Sequence, residues 1–215
     1  MENTNVIPKI VKVEKGRIKV RIKVRDGDFY LYSFMISTNS TVDIHYAFTS
    51  GLEQGALGRV IPCRINSACI TSEVFGCEKC DCKWQLDEAI KYISESKLGI
   101  ITYHPSHEGL GHGIFTKLKS FNLVDEINTK YVDLGCEKED IRDFSPALSI
   151  LKYFSIKRVI LLGNNLNKKY YLEKKGINVE CMKNLIYTGK NEITEKYIVN
   201  KGKLPEHIAL KRNGK

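Results

Sequence analysis

Arg17-Ile18-Lys19-Val20-Arg21-Ile22-Lys23-Val24 places an apolar side chain at every second position, the period of a half-buried strand. Asp26-Gly27-Asp28 follows with turn-forming residues, and residues 29–36 read as the returning strand of a hairpin. Residues 42–50 and 59–65 add two more strand-like runs, so positions 8–66 are predicted to form a twisted, mainly antiparallel sheet. After Trp84 the period changes. Leu86, Ala89, Ile90 and Ile93 recur at helical spacing, and residues 98–104 return to a buried strand. Ile114, Phe115, Leu118 and Phe121 mark a second helix, and Ser145-Pro146 opens a third, with Ser as cap and Pro in the first turn, running to about Phe154. Residues 158–162 are a strand, 166–175 a helix closed by Gly176, and 177–182 a last strand. The expectation is an α+β fold in a single domain, residues 1–215. Its β-rich part spans 8–66, a site-bearing part 67–183, and a loose, charged tail 184–215.

A composition of 42% hydrophobic and 27% charged residues over 215 positions supports a packed core and excludes disordered and collagen-like classes. No apolar run approaches the roughly 20 residues needed to span a bilayer, and Met1-Glu2-Asn3-Thr4-Asn5 has no secretory character. A cytoplasmic protein with no membrane partner is expected. The net charge of +9 suits an anionic partner such as a nucleotide. Nucleic acid is disfavoured, because no patch of basic residues interleaved with aromatics accompanies the cysteines. Those cysteines number seven, an odd count without a secretion signal, which points to metal binding or catalysis over a disulfide scaffold.

Four of them, Cys69, Cys77, Cys80 and Cys82, fall in one short stretch. Thiolates this close are natural zinc ligands, and the helical pattern starting just after Cys82 puts a helix N-terminus beside them, which favours the ionised thiol. Four thiolates would close a structural tetrahedron. Three would leave a position for an activated water. Spacing leaves both open, together with the plainer reading of free buried cysteines; the direction of Cys77 decides between the first two.

Farther along, Asp140-Ile141-Arg142-Asp143-Phe144 precedes the helix opened by Ser145, a place where anions bind well. A surface ion pair is the bland alternative. Between strand and helix, residues 103–113 form a Gly-rich loop that can bring backbone N–H groups to a phosphate. Its His104, His107 and His112 read as hydrogen-bonded loop or core residues with no role as ligands.

In order, these pieces resemble the GTP cyclohydrolase II family, which opens the imidazole ring of GTP at the head of riboflavin synthesis. The resemblance runs from about Arg59 to Gly176 and rests on Arg64-x-x-Ser67-x-Cys69, Cys80-Asp81-Cys82-x-x-Gln85-Leu86, Tyr103-His104, Glu108-Gly109, Asp140-x-Arg142-Asp143-Phe144 and Asn164-Asn165. It implies one Zn²⁺ per chain on Cys69, Cys80 and Cys82, with Cys77 left over. It implies a base at Asp140 and a proposed nucleophile at Arg142, although a guanidinium suits a phosphate clamp better than a nucleophile. Substrate contacts fall on Arg64, Ser67, Gln85, Glu108, Gly109, Lys168 and, across a small gap, Thr129. Mg²⁺ on the nucleotide phosphates, a homodimer, and release of formate and pyrophosphate complete the expectation. Five positions depart from the family pattern: Asn66 and Ala68 replace a histidine and a glutamate, Leu110 an arginine, Gly163 a threonine and Phe121 a tyrosine. These departures suggest a paralogue that stops at the formamidopyrimidine or takes another purine nucleotide. A non-catalytic nucleotide-binding subunit with a structural zinc is the remaining alternative.

Overall fold

The structure, a computed structural model, describes residues 8–21, 26–38, 41–53, 55–122 and 131–202. Strands β1 (Lys9–Arg21), β2 (Asp26–Ser37), β3 (Val42–Ser50), β4 (Val60–Ser67), β5 (Gly99–His104), β6 (Arg158–Leu162) and β7 (Asn178–Lys183) join in one seven-stranded sheet of order β1-β2-β3-β5-β4-β6-β7. Helices α1 (Ile70–Glu73), α2 (Cys82–Ser96), α3 (Gly113–Phe121), α4 (Ser145–Tyr153), α5 (Leu166–Lys174) and α6 (Glu192–Lys201) surround it. Among the described residues no helix is long and apolar enough to cross a membrane.

Pairing β1-β2-β3-β5 is antiparallel, whereas β5-β4, β4-β6 and β6-β7 are parallel. This corrects the assignment of residues 59–65 to the antiparallel part. Strand β4 is buried on both faces between two partners that come later in the chain, the usual condition of a parallel strand. Arg21 pairs with Asp26, so Asp26-Gly27-Asp28, read as the hairpin turn, belongs to β2, and residues 22–25 lie outside the described residues.

Helices cover both faces of the sheet. On one, Phe34, Ile36, Ile61 and Ile100 pack with Ala147, Ile150 and Leu151 of α4 and Leu172 of α5. On the other, Phe29, Ile101 and Leu162 pack with Ala89 and Ile93 of α2. Neighbours Ile100 and Ile101 thus serve different cores, each contributing about 1.5–3 kcal/mol of burial. Helix α4 starts at Ser145 with Pro146 in its first turn, but the side chain that meets its N-terminus is Asp143, whose Oδ1 accepts the Ser145 N–H at 2.8 Å. Residues 192–201, placed by sequence in a loose tail, form α6: Asn191 Oδ1 caps it by accepting from the Ile193 and Thr194 N–H groups at 2.9 and 3.1 Å.

Strands β4, β5 and β6 all end at the same edge. Ligands of open sheets bind outside the carboxyl ends of parallel strands, and there this protein gathers its polar side chains.

Candidate active site

Past the end of β4, Cys69 forms the N-cap of α1; Cys80 lies in the turn before α2, and Cys82 is that helix's first residue behind Asp81 as N-cap. The short α1 and the start of α2 therefore aim three thiols at one point. Their sulfurs lie within 4.8 Å of one another, with Cys69 and Cys80 at 3.6 Å. A tetrahedral zinc with bonds near 2.3 Å needs a sulfur–sulfur edge of about 3.8 Å, so the donor set fits that metal. Among the described residues this is the one cluster of potential metal ligands, and Cys77 is outside it. Hydrogen bonds from Cys80 and Cys82, with the Lys117 ammonium 3.1 Å away, outweigh burial and make Cys69 the first thiol to ionise. Hydrogen bonding to that charge pushes Cys80 up to about 11 and Cys82 well above its ordinary range. A divalent cation would bring all three to the thiolate form.

Across the cavity, Arg142 is forked onto Asp140, its Nε donating to Oδ1 at 2.8 Å and its Nη2 pairing with Oδ2. Burial pushes the Asp140 carboxyl up, but the Arg142 hydrogen bonds prevail and hold it below its usual range. The remaining nitrogen, Nη1, donates to Ser67 Oγ at 3.2 Å, and Lys168 Nζ approaches the same oxygen at 3.5 Å while donating to the Ile65 carbonyl at 2.9 Å. Burial and the nearby Arg142 and Arg64 charges push the Lys168 ammonium well below its ordinary value. An anion placed among these cations would relieve that repulsion, and a phosphate is such an anion.

The Gly-rich loop lines this site and also shapes it by packing. Gly111 has φ +97°, and a Cβ there would lie 2.8 Å from the Ile141 side chain and 3.3 Å from the Arg142 nitrogen. Its neighbour Leu110 accepts from the Ile141 N–H at 3.0 Å. Glycine thus lets the loop seat the Asp140–Arg142 segment. Glu108 faces the cavity, yet its carboxylate accepts from the Ile70 N–H and from Lys117 Nζ, both at 2.6 Å, bracing α1 against α3. Behind Ser67, His107 accepts or donates at Nδ1 at 3.2 Å and meets the Asp143 carbonyl through Nε2 at 2.8 Å. It stacks on His104, which is bonded to His45 at 3.1 Å; all three imidazoles are buried.

The third wall is a buried polar chain. Arg64 donates to Asn66 Oδ1 at 2.8 Å and to Gln85 Oε1 at 3.3 Å, and Gln85 Nε2 donates to Asp81 Oδ2 at 2.6 Å. The amide of Gln85 is thereby locked in one orientation beside the thiols.

A single cavity of about 910 Å³ is lined by Arg64, Ser67, Gln85, Glu108, Gly109, Lys168, Asp140, Arg142, Phe121, Cys69, Cys80 and Cys82. Thr129 lies outside the described residues. Sequence reasoning passed over Lys117, Glu73, His45 and the α6 residues Tyr197 and Lys201. Glu73 accepts from the Tyr103 hydroxyl at 2.6 Å and from Asn66 at 2.8 Å, tying α1 to β4 and β5. Only α6 carried a local signal, Asn191 followed by Glu192 and Glu195 in a first turn. The others depend on long-range packing.

The GTP cyclohydrolase II family model matches residues 14–183. GTP cyclohydrolase-2 of Picrophilus torridus is 34% identical over 164 residues, covering 75% of this chain and 82% of that protein. The riboflavin biosynthesis proteins RibBA of Staphylococcus saprophyticus and Staphylococcus aureus are 37% and 35% identical over 167 residues. That match takes in 76% of this chain but 40% of theirs, so the chain spans well under half of each RibBA protein. With the matched stretch carrying both the thiol cluster and the Asp140–Arg142 fork, the chain belongs to the GTP cyclohydrolase II family.

Proposed function

We propose that this protein hydrolytically opens the guanine imidazole ring of GTP at C8 and releases pyrophosphate, the chemistry that heads riboflavin synthesis. The observation that carries this reading is one cavity of about 910 Å³ with three thiols on one wall and the Ser67, Arg142 and Lys168 anion site on another. Cys69, Cys80 and Cys82 would hold zinc, which supplies a water activated near neutral pH as the nucleophile for C8. Gln85, its amide fixed by Arg64 and Asp81, orients the purine edge. Lys168 and Nη1 of Arg142 hold the phosphate charge as it develops, with Asp140 keeping the guanidinium in place. Mg²⁺ enters with the nucleotide phosphates. Incubation with GTP, Zn²⁺ and Mg²⁺ followed by mass spectrometry, scoring formate and pyrophosphate separately, tests the assignment. Intact GTP after incubation of zinc-loaded protein refutes it.

A second reading is favoured by Phe121, which lines the same cavity with the Lys79 ammonium 4.4 Å above its ring. Expelling formate requires a nitrogen to leave from the opened formamide. A phenol at this position could donate to the developing charge; a benzene ring cannot. On this reading the formamidopyrimidine nucleotide accumulates, and Phe121→Tyr shifts product toward the deformylated diaminopyrimidine. Formate release at the rate of GTP loss in the unmodified protein rules it out.

A further inference from the structure

Helix α6 lies beyond residues 14–183 matched by the family, yet it walls the cavity. Ile193, Tyr197, Asn200 and Lys201 face inward, the i, i+4, i+7, i+8 spacing of one helical face. Two bonds pin the helix to the thiol-bearing loop: Thr194 Oγ1 donates to the Glu78 carbonyl at 2.6 Å, and Asn191 Nδ2 to the Glu78 carboxylate at 2.7 Å. Placed so, α6 brings the Lys201 side chain, 17% exposed, to Asp81, the residue between Cys80 and Cys82. Its Nζ stands 3.6 Å from Asp81 Oδ1, an ion-pair distance beyond a hydrogen bond, and 5.3 Å from the centre of the Tyr197 ring. Asp81 is fully buried; its Oδ2 takes the Gln85 amide, while Oδ1 has no hydrogen-bond partner.

We propose that Lys201 selects 6-oxopurines by donating hydrogen bonds to the N7 and O6 edge of the base. This deepens the cyclohydrolase reading and rests on it, because C8 must face the thiols. In a purine, N7 is bonded to the ring carbon C8 and O6 lies along the same edge, so both acceptors fall where a cation flanks Cys80 and Cys82. A second ammonium near the cluster, Lys117, is on the Cys69 side and engaged by Glu108 at 2.6 Å. A lysine reads the guanine O6 and N7 acceptors well, whereas a 6-amino group presents a donor to a donor. Asp81 anchors the ammonium at ion-pair distance and links it to Gln85, so one buried chain holds both groups that face the base.

The test is stopped-flow titration of the full-length protein with 2-aminopurine riboside 5′-triphosphate, which is fluorescent and lacks O6, with GTP and ATP as competitors read before turnover. The unmodified protein should prefer GTP over both by about 10- to 100-fold. In Lys201→Met, GTP affinity should fall more steeply than that of the 2-aminopurine nucleotide, which loses only its N7 bond, so that the preference between them disappears, and Lys201→Arg should restore part of it. Asp81→Asn/Lys201→Met, which leaves no unpaired buried carboxylate, should show the same lost preference as Lys201→Met. Equal weakening of all three nucleotides in both Met variants means that Lys201 only supports the wall, and overturns the proposal. So does an unchanged GTP preference. Unmodified protein that binds none of the three triphosphates overturns the cyclohydrolase reading and this inference together.

Discussion

Cys77 and Cys82 are five residues apart in the chain but differ in what they can hold. Cys82 shares the thiol cluster with Cys69 and Cys80, while Cys77 borders the cavity outside it. Zinc analysis should therefore find about one metal per chain in the unmodified protein and in Cys77→Ser, and close to none in Cys82→Ser. Equal loss in both serine variants would mean a closed, structural site. Arg142 gives the matching test on the phosphate side. Two of its nitrogens are spent on Asp140, leaving Nη1 to act beside Ser67, so the geometry favours a clamp. Arg142→Ala should slow pyrophosphate release by about 10²-fold or more. Pyrophosphate release unchanged by the substitution would reduce the fork to a local ion pair.

At the level of elements, the site depends on short segments held by single caps and braces. Asn191 Oδ1 closes the first turn of α6, and its Nδ2 reaches Glu78. Asn191→Ala should cost about 1 kcal/mol of helix stability. The same change should raise the KM for GTP with little change in kcat, because α6 contributes wall and the cysteines contribute chemistry. A fall in kcat alone, with KM unmoved, would place α6 elsewhere in the mechanism. The loop at residues 105–111 shows how glycine sets geometry at this scale. Gly111 lets the Asp140–Arg142 segment approach closely, a packing role in addition to the phosphate cradle that the motif suggests.

Across the whole molecule, β3, β5 and the following loop meet through His45, His104 and His107, buried inside the fold behind Ser67. Burial pushes all three below the ordinary imidazole value, His107 down to about 3, against smaller opposing pulls from Asp43 and Asp143 on His45 and from the Asp143 carbonyl on His107. In the unfolded chain they titrate near 6.5. Below that pH the unfolded state binds more protons than the folded one. The stability these histidines support is therefore full above about pH 6.5 and is lost as pH falls toward the folded values. The steepest slope is about 4 kcal/mol per pH unit if all three contribute. Denaturant melts between pH 8 and 5 should show this acid limb, and His107→Gln should make it shallower by about a third. A limb of identical slope in His107→Gln would mean that the imidazole is already protonated in the fold. Metal removal acts at the same scale. Cys69, Cys80 and Cys82 come from the end of β4 and the start of α2, so chelation should lower the melting temperature, and zinc should restore it.

What the chain determines by itself is local: the period of each strand and helix, the thiol spacing around Cys69, Cys80 and Cys82, and the Asp140-x-Arg142 pair, because these depend on residues near one another in sequence. The boundaries of β6 and of the helix opened by Ser145 could be read directly for that reason. Only the tertiary structure decided that β4 runs parallel between β5 and β6, since a strand buried on both faces carries no alternation to reveal its partners. The same packing left Cys77 outside the cluster, gave Glu108 to Ile70 and Lys117, and folded residues 192–201 of the charged tail into a helix lining the cavity. Each of these outcomes is set by contacts between segments far apart in the chain, whose free energy appears only when the sheet has brought their ends together.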